Sequence, residues 1–388
     1  MVPGLPPRTS GPVEDLVRKA FGGGTRIVSV EDVGGRRRRS LIHRLTLSGP
    51  NAPQSVIVKQ LKAVRPDTAR DNDQNSLFLA ELSSLRFLTE LGLDDLSPRL
   101  FAHDVASHVL VMQDLGPGVS MADVLQARPE PSSLPTLHAY ASSLGRLHGL
   151  SAPHLNRFLT LRTEVGAQDD AALWAKDVQE DISAVDASLA WVDLSLSPYA
   201  SAELNDVQER LTAHDAWVTF THGDPCPDNN VVAADGSVVH FDFEFAQARP
   251  ALVDGSYFVV PFPTCWCVNA IPSALRIEIT ETYRADLATH LPAANDPVVF
   301  GRALTDAAAL WVARDTTAGL LAGALKKDQK WGISTWRQRM IHRLPAFIEL
   351  AHRHDHLPAF AETAESLHRR LTGKWVKLTP MPTYPALR

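Results

Sequence analysis

Apolar residues in the first third of the chain follow strand spacing, then helix spacing, then strand spacing again. A short helix is predicted over 12–21, where Gly22 ends it. A second helix is predicted over 75–91, because apolar residues recur there at helical spacing. Strands are predicted at 26–33, 41–47 and 55–61, and again near 99–103 and 108–112. This order is typical of an α+β unit built on an antiparallel sheet.

Beyond Asp114 the pattern becomes mainly helical. The Gly-Pro-Gly sequence at 116–118 marks a linker. Further helices are predicted before Gly149, over 200–214 and over 336–352, and a strand–turn–strand section over 217–245 interrupts them. Ser334 or Thr335 is predicted as the N-cap of the helix over 336–352. We therefore predict an α+β fold of two lobes. The smaller lobe, 1–114, has an antiparallel sheet plus a helix, and the larger lobe, 115–388, is mainly helical and carries a hairpin.

Composition and charge exclude some classes of partner. The chain is 45% hydrophobic and 21% charged, an ordinary globular balance. A net charge of −6 gives no basic face, so no nucleic-acid partner is expected, although a cationic substrate is compatible with it. The uncharged stretch 255–275 contains Pro261, Pro263 and Pro272, which interrupt a spanning helix. We expect a buried irregular segment there and no membrane association.

The cysteines are few and unevenly placed. Cys226, Cys265 and Cys267 form an odd set with one close pair, which is not a disulfide framework. The Cys-x-Cys pair also has poor spacing for zinc. We therefore expect buried thiols in a reducing compartment. Because the proline-rich start of the chain lacks the apolar run of a secretory signal, we expect a cytoplasmic protein.

The segment 221–244 reads THGDPCPDNNVVAADGSVVHFDFE and carries the clearest chemistry. Asp235-Gly236 between β-branched runs predicts a two-residue hairpin turn. In that register Asn229 lies opposite Asp242, at the open end of the hairpin. An amide oxygen and a carboxylate are oxygen donors of the kind that magnesium takes from a protein when it is bound to a triphosphate.

Three further residues complete a minimal phosphoryl-transfer site. Asp224 precedes the hairpin, where a carboxylate can accept or orient the proton of an attacking hydroxyl. Lys59 ends the apolar run 56–58, so its ammonium can leave a buried strand and contact phosphates. Glu81, on the following helix, can pair with Lys59. Because the protein mostly positions groups and neutralises charge in phosphoryl transfer, this set is sufficient.

The pattern His-Gly-Asp, four residues, Asn, then apolar-Asp-aromatic-Glu resembles the aminoglycoside phosphotransferase and choline kinase family. That family has the bilobal protein-kinase-like fold, and the resemblance is strongest over 221–245. By similarity the catalytic base is Asp224, the magnesium ligands are Asn229 and Asp242, the phosphate contact is Lys59, and its partner is Glu81. The activity it implies is transfer of the γ-phosphoryl group of ATP, or of GTP, to a small-molecule hydroxyl acceptor.

The resemblance also implies a nucleotide site in the smaller lobe. The hinge that would hold the adenine through its backbone is 111–115, which includes Gln113, Asp114 and Leu115. The nucleotide loop is the turn with Gly34 and Gly35. It is followed by arginines 36–39, which are more typical of a solvated hairpin tip, with phosphate contact as the open alternative.

Further positions have scaffold or open roles by similarity. Asp254 and His222 are expected to brace the catalytic loop. Asn230 is a competitor of Asn229 for the metal, and Glu244 fits either a metal-adjacent role or a salt bridge. Where many relatives read Leu-His-Pro-Gly, this chain reads Pro-Cys-Pro-Asp at 225–228.

Two other functions fit some of the residues. One is a catalytically silent, kinase-like module that binds a ligand without transfer, which the filled catalytic positions disfavour. The other is a metal-dependent hydrolase using His222, Asp224 and Asp242, but the loop offers too few histidine ligands. The acceptor, exemplified by an aminoglycoside, amino sugar or amino alcohol, is not specified by the sequence.

Overall fold

The chain divides into two compact units in the computed structural model, which describes residues 5, 7–34, 40–62, 69–168, 170–213, 215–317 and 320–388. The first unit comprises Met1–Gly118, Asn156–Gln168 and Val239–Ala246, and the second comprises Val119–Leu155, Asp169–Val238 and Gln247–Arg388. Two segments remote in sequence therefore complete the first unit. Gly35 and the arginines at 36–39 lie outside the described residues.

The first unit is built on an antiparallel sheet with the strand order β1-β2-β3-β5-β4. The predicted order of three strands, a helix and two strands is confirmed. The strands of the described chain are β1 (Arg26–Asp32), β2 (Ser40–Ser48), β3 (Ser55–Leu61), β4 (Leu100–Asp104), β5 (Val109–Gln113), β6 (Val218–Thr221), β7 (Asn230–Val232), β8 (Val238–His240), β9 (Gln247–Pro250), β10 (Lys330–Trp331) and β11 (Ser334–Thr335).

Helices supply most of the second unit, as predicted. The strands there form two small antiparallel pairs, β6 with β9 and β10 with β11. The helices of the described chain are α1 (Pro7–Phe21), α2 (Ala69–Glu90), α3 (Met121–Gln126), α4 (Ser133–Ser151), α5 (Leu155–Val165), α6 (Asp170–Ser183), α7 (Val185–Leu189), α8 (Pro198–Thr212), α9 (Ala251–Gly255), α10 (Ser273–Ala288), α11 (Pro297–Thr317), α12 (Leu320–Lys326), α13 (Trp336–Arg353) and α14 (Pro358–Lys374).

One face of the five-stranded sheet forms the core of the first unit with α1. Val56 and Val58 of β3 are fully buried in this core, together with Val13 and Val17 of α1. Successive side chains of a strand point to opposite faces, so Lys59 projects from the other face. The alternation along β3 thus separates an apolar core from a charged side of the sheet.

The start of α13 follows the predicted cap. Thr335 accepts a hydrogen bond from the backbone N–H of Gln338, and the Gln338 side chain accepts one from the backbone of Thr335. This reciprocal capping box satisfies two N–H groups that the first turn of a helix leaves without partners. The prediction of Ser334 or Thr335 as N-cap is confirmed for Thr335.

The turn between β7 and β8 has one residue more than predicted. The backbone N–H of Ala233 donates to the carbonyl of Ser237 at 2.9 Å, and that of Gly236 donates to the carbonyl of Ala233 at 2.9 Å. These bonds enclose a three-residue loop in which Gly236 has a φ of 84°. A three-residue loop that ends with a left-handed glycine is a common alternative to the two-residue turn. The sequence Asp235-Gly236 suits both loops. The pairing register therefore differs by one residue from the predicted one. The predicted pairing of Asn229 opposite Asp242 is wrong, because the two strands reach only Asn230 and His240.

The uncharged stretch 255–275 is mostly buried and irregular, in line with the prediction. The chain passes from α9 into a single 3₁₀ turn, Ser256–Phe258, and regains regular helix only at Ser273. Val260 and Phe262 are fully buried within this segment. Among the described residues, no helix has both the length and the apolar character needed to cross a membrane.

The expectation of three cysteine thiols is wrong for two of them. Cys226 and Cys265 form a disulfide bond across a sequence separation of 39 residues. Cys267 keeps a buried thiol, and burial raises its pKa to about 12. Spacing along the chain could not show the bond, because the fold brings the loop before β7 against the irregular segment after α9.

Candidate functional site

The loop 222–230, in the second unit, is held by a buried scaffold. His222 is fully buried, and its Nδ1 accepts a hydrogen bond from the backbone N–H of Asp224 at 3.3 Å. Asp254 accepts a hydrogen bond from the backbone N–H of Gly223 at 3.1 Å. These contacts agree with the predicted bracing by His222 and Asp254. The first contact also occupies Nδ1 of the imidazole that the hydrolase alternative would need as a metal ligand.

Arg249 is a scaffold residue that sequence reasoning missed. Its guanidinium donates to the Asp254 carboxylate at 2.5 Å, to the Gly223 carbonyl at 3.1 Å and to the Thr221 hydroxyl at 3.1 Å. Burial alone would raise the pKa of Asp254, but Arg249 and His148 outweigh it, and the pKa lies far below its usual value. The signal was present: Arg249 and Asp254 are the charges in an otherwise apolar stretch over 248–255, and buried charges require partners.

Asp224 is half-buried, and hydrogen-bond donors fix its carboxylate. The Thr264 hydroxyl donates to Oδ1 at 2.5 Å, and the Asn229 amide nitrogen lies 3.3 Å from Oδ2. Burial raises the pKa of Asp224 above its usual value, although Thr264 and His222 oppose the shift. A fixed carboxylate with a raised pKa accepts a proton more readily than an ordinary surface aspartate.

The side chains of Asn229 and Asn230 have different hydrogen-bond partners. The amide nitrogen of Asn229 donates to the Asp224 carbonyl at 2.9 Å, and its side-chain oxygen receives no hydrogen bond from a described residue. Asn230 is buried, and its amide is fully engaged: Oδ1 accepts from Met121, while Nδ2 donates to the carbonyls of Cys226 and Pro227. Asn230 therefore supports the loop, and Asn229 is the one of the two with an oxygen to offer a cation.

An exposed aromatic side chain lies beside the loop. The indole N–H of Trp266 donates to Asp228 at 2.5 Å, and Trp266 is 41% exposed. Trp331 is also exposed, with the Arg339 guanidinium 4.1 Å from its ring centroid. A carboxylate and exposed aromatic rings are groups that attract organic cations.

The first unit contains a second group of candidate residues, the lysine cluster, formed by Lys59, Glu81, Asp242 and Glu244. The Lys59 ammonium lies 2.7 Å from a Glu81 carboxylate oxygen, so the predicted ion pair is present. It also lies 2.5 Å from Oδ1 of Asp242. Asp242 has a φ of 68°, a left-handed conformation that aspartate tolerates better than most residues.

The lysine cluster has more negative than positive charge. Burial by itself lowers the pKa of Lys59, but Glu81, Asp242 and Glu244 together outweigh it, so the pKa is raised and the ammonium stays charged. Burial and the neighbouring carboxylates raise the pKa of Glu81, despite its contact with Lys59. One ammonium thus faces three carboxylates, an imbalance that a divalent cation would offset.

The predicted hinge lies at the end of β5. The Gln113 backbone N–H donates to the Arg99 carbonyl at 2.8 Å, so this group extends the pairing of β5 with the β4 side of the sheet. The Asp114 carboxylate accepts from Arg44 and from Ser55, each at 2.7 Å. Its side chain therefore fixes the end of the sheet, and the hinge retains only backbone groups for a nucleotide base.

Each unit brings together part of the predicted set. Asp224 and Asn229 are neighbours in the second unit, and Lys59, Glu81 and Asp242 are neighbours in the first. Gly34 packs against β2, where an added Cβ would lie 3.0 Å from the Ile42 nitrogen. The sharing of one metal ion by Asn229 and Asp242 stays a prediction.

Comparisons with known proteins agree with this chemistry. The model of the phosphotransferase enzyme family matches residues 66–294. Choline kinase from Cryptosporidium parvum Iowa II is similar in structure, with a TM-score of 0.53 at 11% identity, over 92% of this chain and 99% of that one. The macrolide 2′-phosphotransferase of Brachybacterium faecium is 16% identical with a TM-score of 0.43, over 89% of this chain and 98% of that one. No curated protein is a significant sequence match.

The two kinds of match carry different weight. At 11% identity the likeness to choline kinase shows the fold alone, which is the predicted α+β kinase-like fold. The family match, in contrast, covers more than half of the 388 residues. It contains the 222–230 loop and every member of the lysine cluster except Lys59. The chain therefore belongs to the phosphotransferase enzyme family and is a small-molecule kinase.

Proposed function

We propose that the chain transfers the γ-phosphoryl group of ATP, or of GTP, to a hydroxyl of a small molecule, with Asp224 as the catalytic base. The observation that carries this proposal is the half-buried Asp224 carboxylate, held by Thr264 and Asn229 on a loop that His222 and Asp254 brace. A base fixed in this way can take the proton of an attacking hydroxyl without reorganising.

In this proposal the first unit binds the nucleotide. Lys59, which Glu81 holds, contacts the α and β phosphates, and the backbone of 113–115 holds the base through groups that do not distinguish ATP from GTP. The Gly34 backbone approaches the phosphates. The raised pKa of Lys59 supports a permanently charged ammonium, as phosphate binding requires.

The residues present fit a magnesium ion. Asp242 supplies a carboxylate from a cluster with excess negative charge, and Asn229 supplies an amide oxygen to which no described residue donates. Magnesium prefers such oxygen ligands and completes its shell with phosphate oxygens and water. When bound, the ion would neutralise charge on the transferring phosphate.

We further propose that the acceptor is cationic, as an amino sugar, aminoglycoside or amino alcohol would be. Asp228 and the exposed Trp266 lie beside the catalytic loop, and Trp331 is exposed in the same unit. The net charge of −6 favours the approach of a cation. Acceptor binding is assigned to the second unit, where these groups lie.

The test is production of nucleoside diphosphate with a broad panel of hydroxylated compounds, cationic and neutral, in the presence and absence of magnesium. Magnesium-dependent turnover with a cationic acceptor is the expected result. Turnover with neutral acceptors alone would contradict the acceptor class. Nucleotide binding by calorimetry without turnover of any compound would favour the silent binding module, and phosphoester cleavage without nucleotide would favour the hydrolase.

A further inference from the structure

The carboxylate of Asp224 is held by a residue from outside its own loop. Thr264, in the irregular segment after α9, donates its hydroxyl proton to Asp224 Oδ1 at 2.5 Å. A threonine hydroxyl has one proton, so the Tyr257 hydroxyl, 2.9 Å from Thr264 Oγ1, must donate to it. Tyr257 is fully buried, and burial raises its pKa far above the usual value, so it keeps its proton. The rotamer of Asp224 is thus fixed by two hydroxyls in series.

A disulfide bond ties these two segments together. Cys226 follows Asp224 in the loop, Cys265 follows Thr264, and the bond between them spans a Cα–Cα distance of 5.6 Å. The Sγ atom of Cys226 lies 3.1 Å from Asp224 Oδ1, the oxygen that accepts from Thr264. In the disulfide this sulfur has no proton, so it cannot compete with Thr264.

The segment around Thr264 has other supports. Arg343 donates to the Pro263 carbonyl and Arg339 to the Cys265 carbonyl, each at 2.7 Å. Both arginines are buried in α13. Opening the disulfide would therefore loosen the segment without releasing it from α13, and it would change what surrounds Asp224 Oδ1.

We propose that Thr264 is the positioning residue for Asp224. We further propose that the Cys226–Cys265 disulfide is a redox-sensitive brace that preserves the hydrogen bond from Thr264 to Asp224. Reduction turns Cys226 into a thiol whose S–H donates to Asp224 Oδ1 and competes with Thr264. The carboxylate turns away from its productive orientation, and phosphoryl transfer slows. This inference rests on the proposed function, since it concerns the same base.

The redox step is a complete exchange. A dithiol such as dithiothreitol gives up two electrons and two protons and closes its own disulfide. The Cys226–Cys265 sulfur–sulfur bond breaks, and each sulfur gains a proton. An oxidised dithiol reverses the step. Cys267 takes no part, because it is buried as a separate thiol.

The experiment compares single-turnover transfer by the oxidised and the dithiothreitol-reduced protein, using MgATP and the best acceptor of the panel. Alkylation in denaturant followed by intact mass counts the thiols. We expect one alkylated cysteine before reduction and all three after it. Transfer should slow about tenfold on reduction, because misplacement of a catalytic group lowers the rate, while KM for MgATP stays the same. Three alkylated cysteines in the air-oxidised protein, or equal rates in both states, would overturn the inference.

Matched variants separate the brace from the donor. Cys265→Ala leaves the Cys226 thiol 3.1 Å from Asp224 Oδ1, whereas Cys226→Ala leaves only the Cys265 thiol, which lies within 4.8 Å of that carboxylate but makes no hydrogen bond to it. Both should be insensitive to the reductant, and Cys265→Ala should be the slower of the two. Cys267→Ala is the control and should respond to reductant as the wild type does. The opposite order of the first two variants would contradict the competing thiol.

The conservative series at Thr264 tests positioning itself. Thr264→Val has nearly the same shape without the hydroxyl, and it should lower the transfer rate roughly tenfold to hundredfold with little change in either KM. Thr264→Ser should restore most of the rate. If serine were as slow as valine, the hydroxyl would not be the positioning group.

A readout without turnover keeps this inference distinct from the proposed function. Amide hydrogen exchange over 262–266 should speed up on reduction in wild type and in Cys267→Ala, and not in Cys265→Ala. If exchange changes in this way but no acceptor is phosphorylated in either state, the proposed function fails and the brace stands. If exchange is unchanged by reduction, the brace fails whatever the activity.

Discussion

The lysine cluster and the 222–230 loop hold their charged groups in opposite ways. In the loop, each charge has hydrogen-bond partners: Asp254 has Arg249 and the Gly223 N–H, and Asp224 has Thr264. In the lysine cluster, three carboxylates meet one ammonium. The loop is therefore complete without ligand, whereas the lysine cluster has an excess of negative charge.

This difference predicts which part of the protein a bound cation would stabilise. A satisfied network keeps a catalytic group in one orientation, and removing a member leaves a buried group unpaired. A group of neighbouring carboxylates is stabilised by a cation that binds among them, as a magnesium ion would, and a ligand that binds only the folded state raises its stability. We thus expect loop substitutions to affect turnover or folding, and lysine-cluster substitutions to affect ligand binding.

The largest effect should come from Asp224→Asn. The amide keeps the shape of the side chain but cannot accept a proton, so kcat should fall by about 10²–10⁴-fold. The melting temperature should change little. Asp235→Asn, an exposed aspartate in the nearby turn, is the control and should keep its turnover. Near-normal turnover by Asp224→Asn would show that Asp224 is not the catalytic base.

Arg249→Met should be the most damaging to stability. It leaves Asp254 buried without its guanidinium, which costs about 3–5 kcal/mol when one partner of a buried pair is lost. Urea unfolding measures this loss. Arg157→Met, which breaks an exposed pair with Glu90, should show no comparable loss. A double variant with Asp254→Asn should recover part of the stability, and no recovery would show that the charge is not the cause.

Asp242→Asn should behave in the opposite way. It removes one of three like charges, so the ligand-free protein should be as stable as wild type or slightly more stable. Asparagine also tolerates the left-handed backbone at this position. MgATP at a hundred times its Kd should stabilise wild type by about 2.7 kcal/mol, and most of this should be lost in the variant. Thermal unfolding with MgATP, and with ATP plus a chelator, measures this stabilisation. Equal stabilisation of both proteins by MgATP would contradict the metal role of Asp242.

The smallest effect should come from Gly236→Ala. Gly236 has a φ of 84° and open space around an added Cβ, so the penalty is backbone strain alone. It should cost about 1 kcal/mol in unfolding free energy. Gly23→Ala, which has equal space and no positive φ, should show no such loss. Equal effects at both positions would argue against the three-residue loop.

Much of the fold could be predicted because periodicity reports burial directly. The third strand, β3, was predicted with the bounds it has, and Lys59 was predicted to leave the buried strand where the apolar run 56–58 ends. The structure adds that Lys59 lies on the face away from the apolar core. The N-cap at Thr335 involves only residues close to it in sequence, so it could be predicted as well. Helix ends were less certain: α2 begins at Ala69, ahead of the predicted start at 75, because polar residues extend a helix without a periodic signal.

Long-range partners could not be predicted. The Cys226–Cys265 bond and the Thr264 contact to Asp224 join segments that only tertiary packing brings together. The turn at 233–237 was missed because Asp-Gly suits both a two-residue and a three-residue loop. At the candidate site, the sequence motif indicated which residues carry the chemistry. The contacts that support those residues depend on tertiary packing and could not be predicted from the motif.

The fate of the γ-phosphoryl group tests the central claim most directly. Phosphorus NMR of a mixture of the protein, MgATP and an acceptor from the panel follows every phosphate species. We predict a new phosphomonoester signal that couples to acceptor protons and grows in step with ADP, and that is absent with Asp224→Asn. Inorganic phosphate as the sole new product, or the same phosphomonoester at an undiminished rate with Asp224→Asn, would contradict the account.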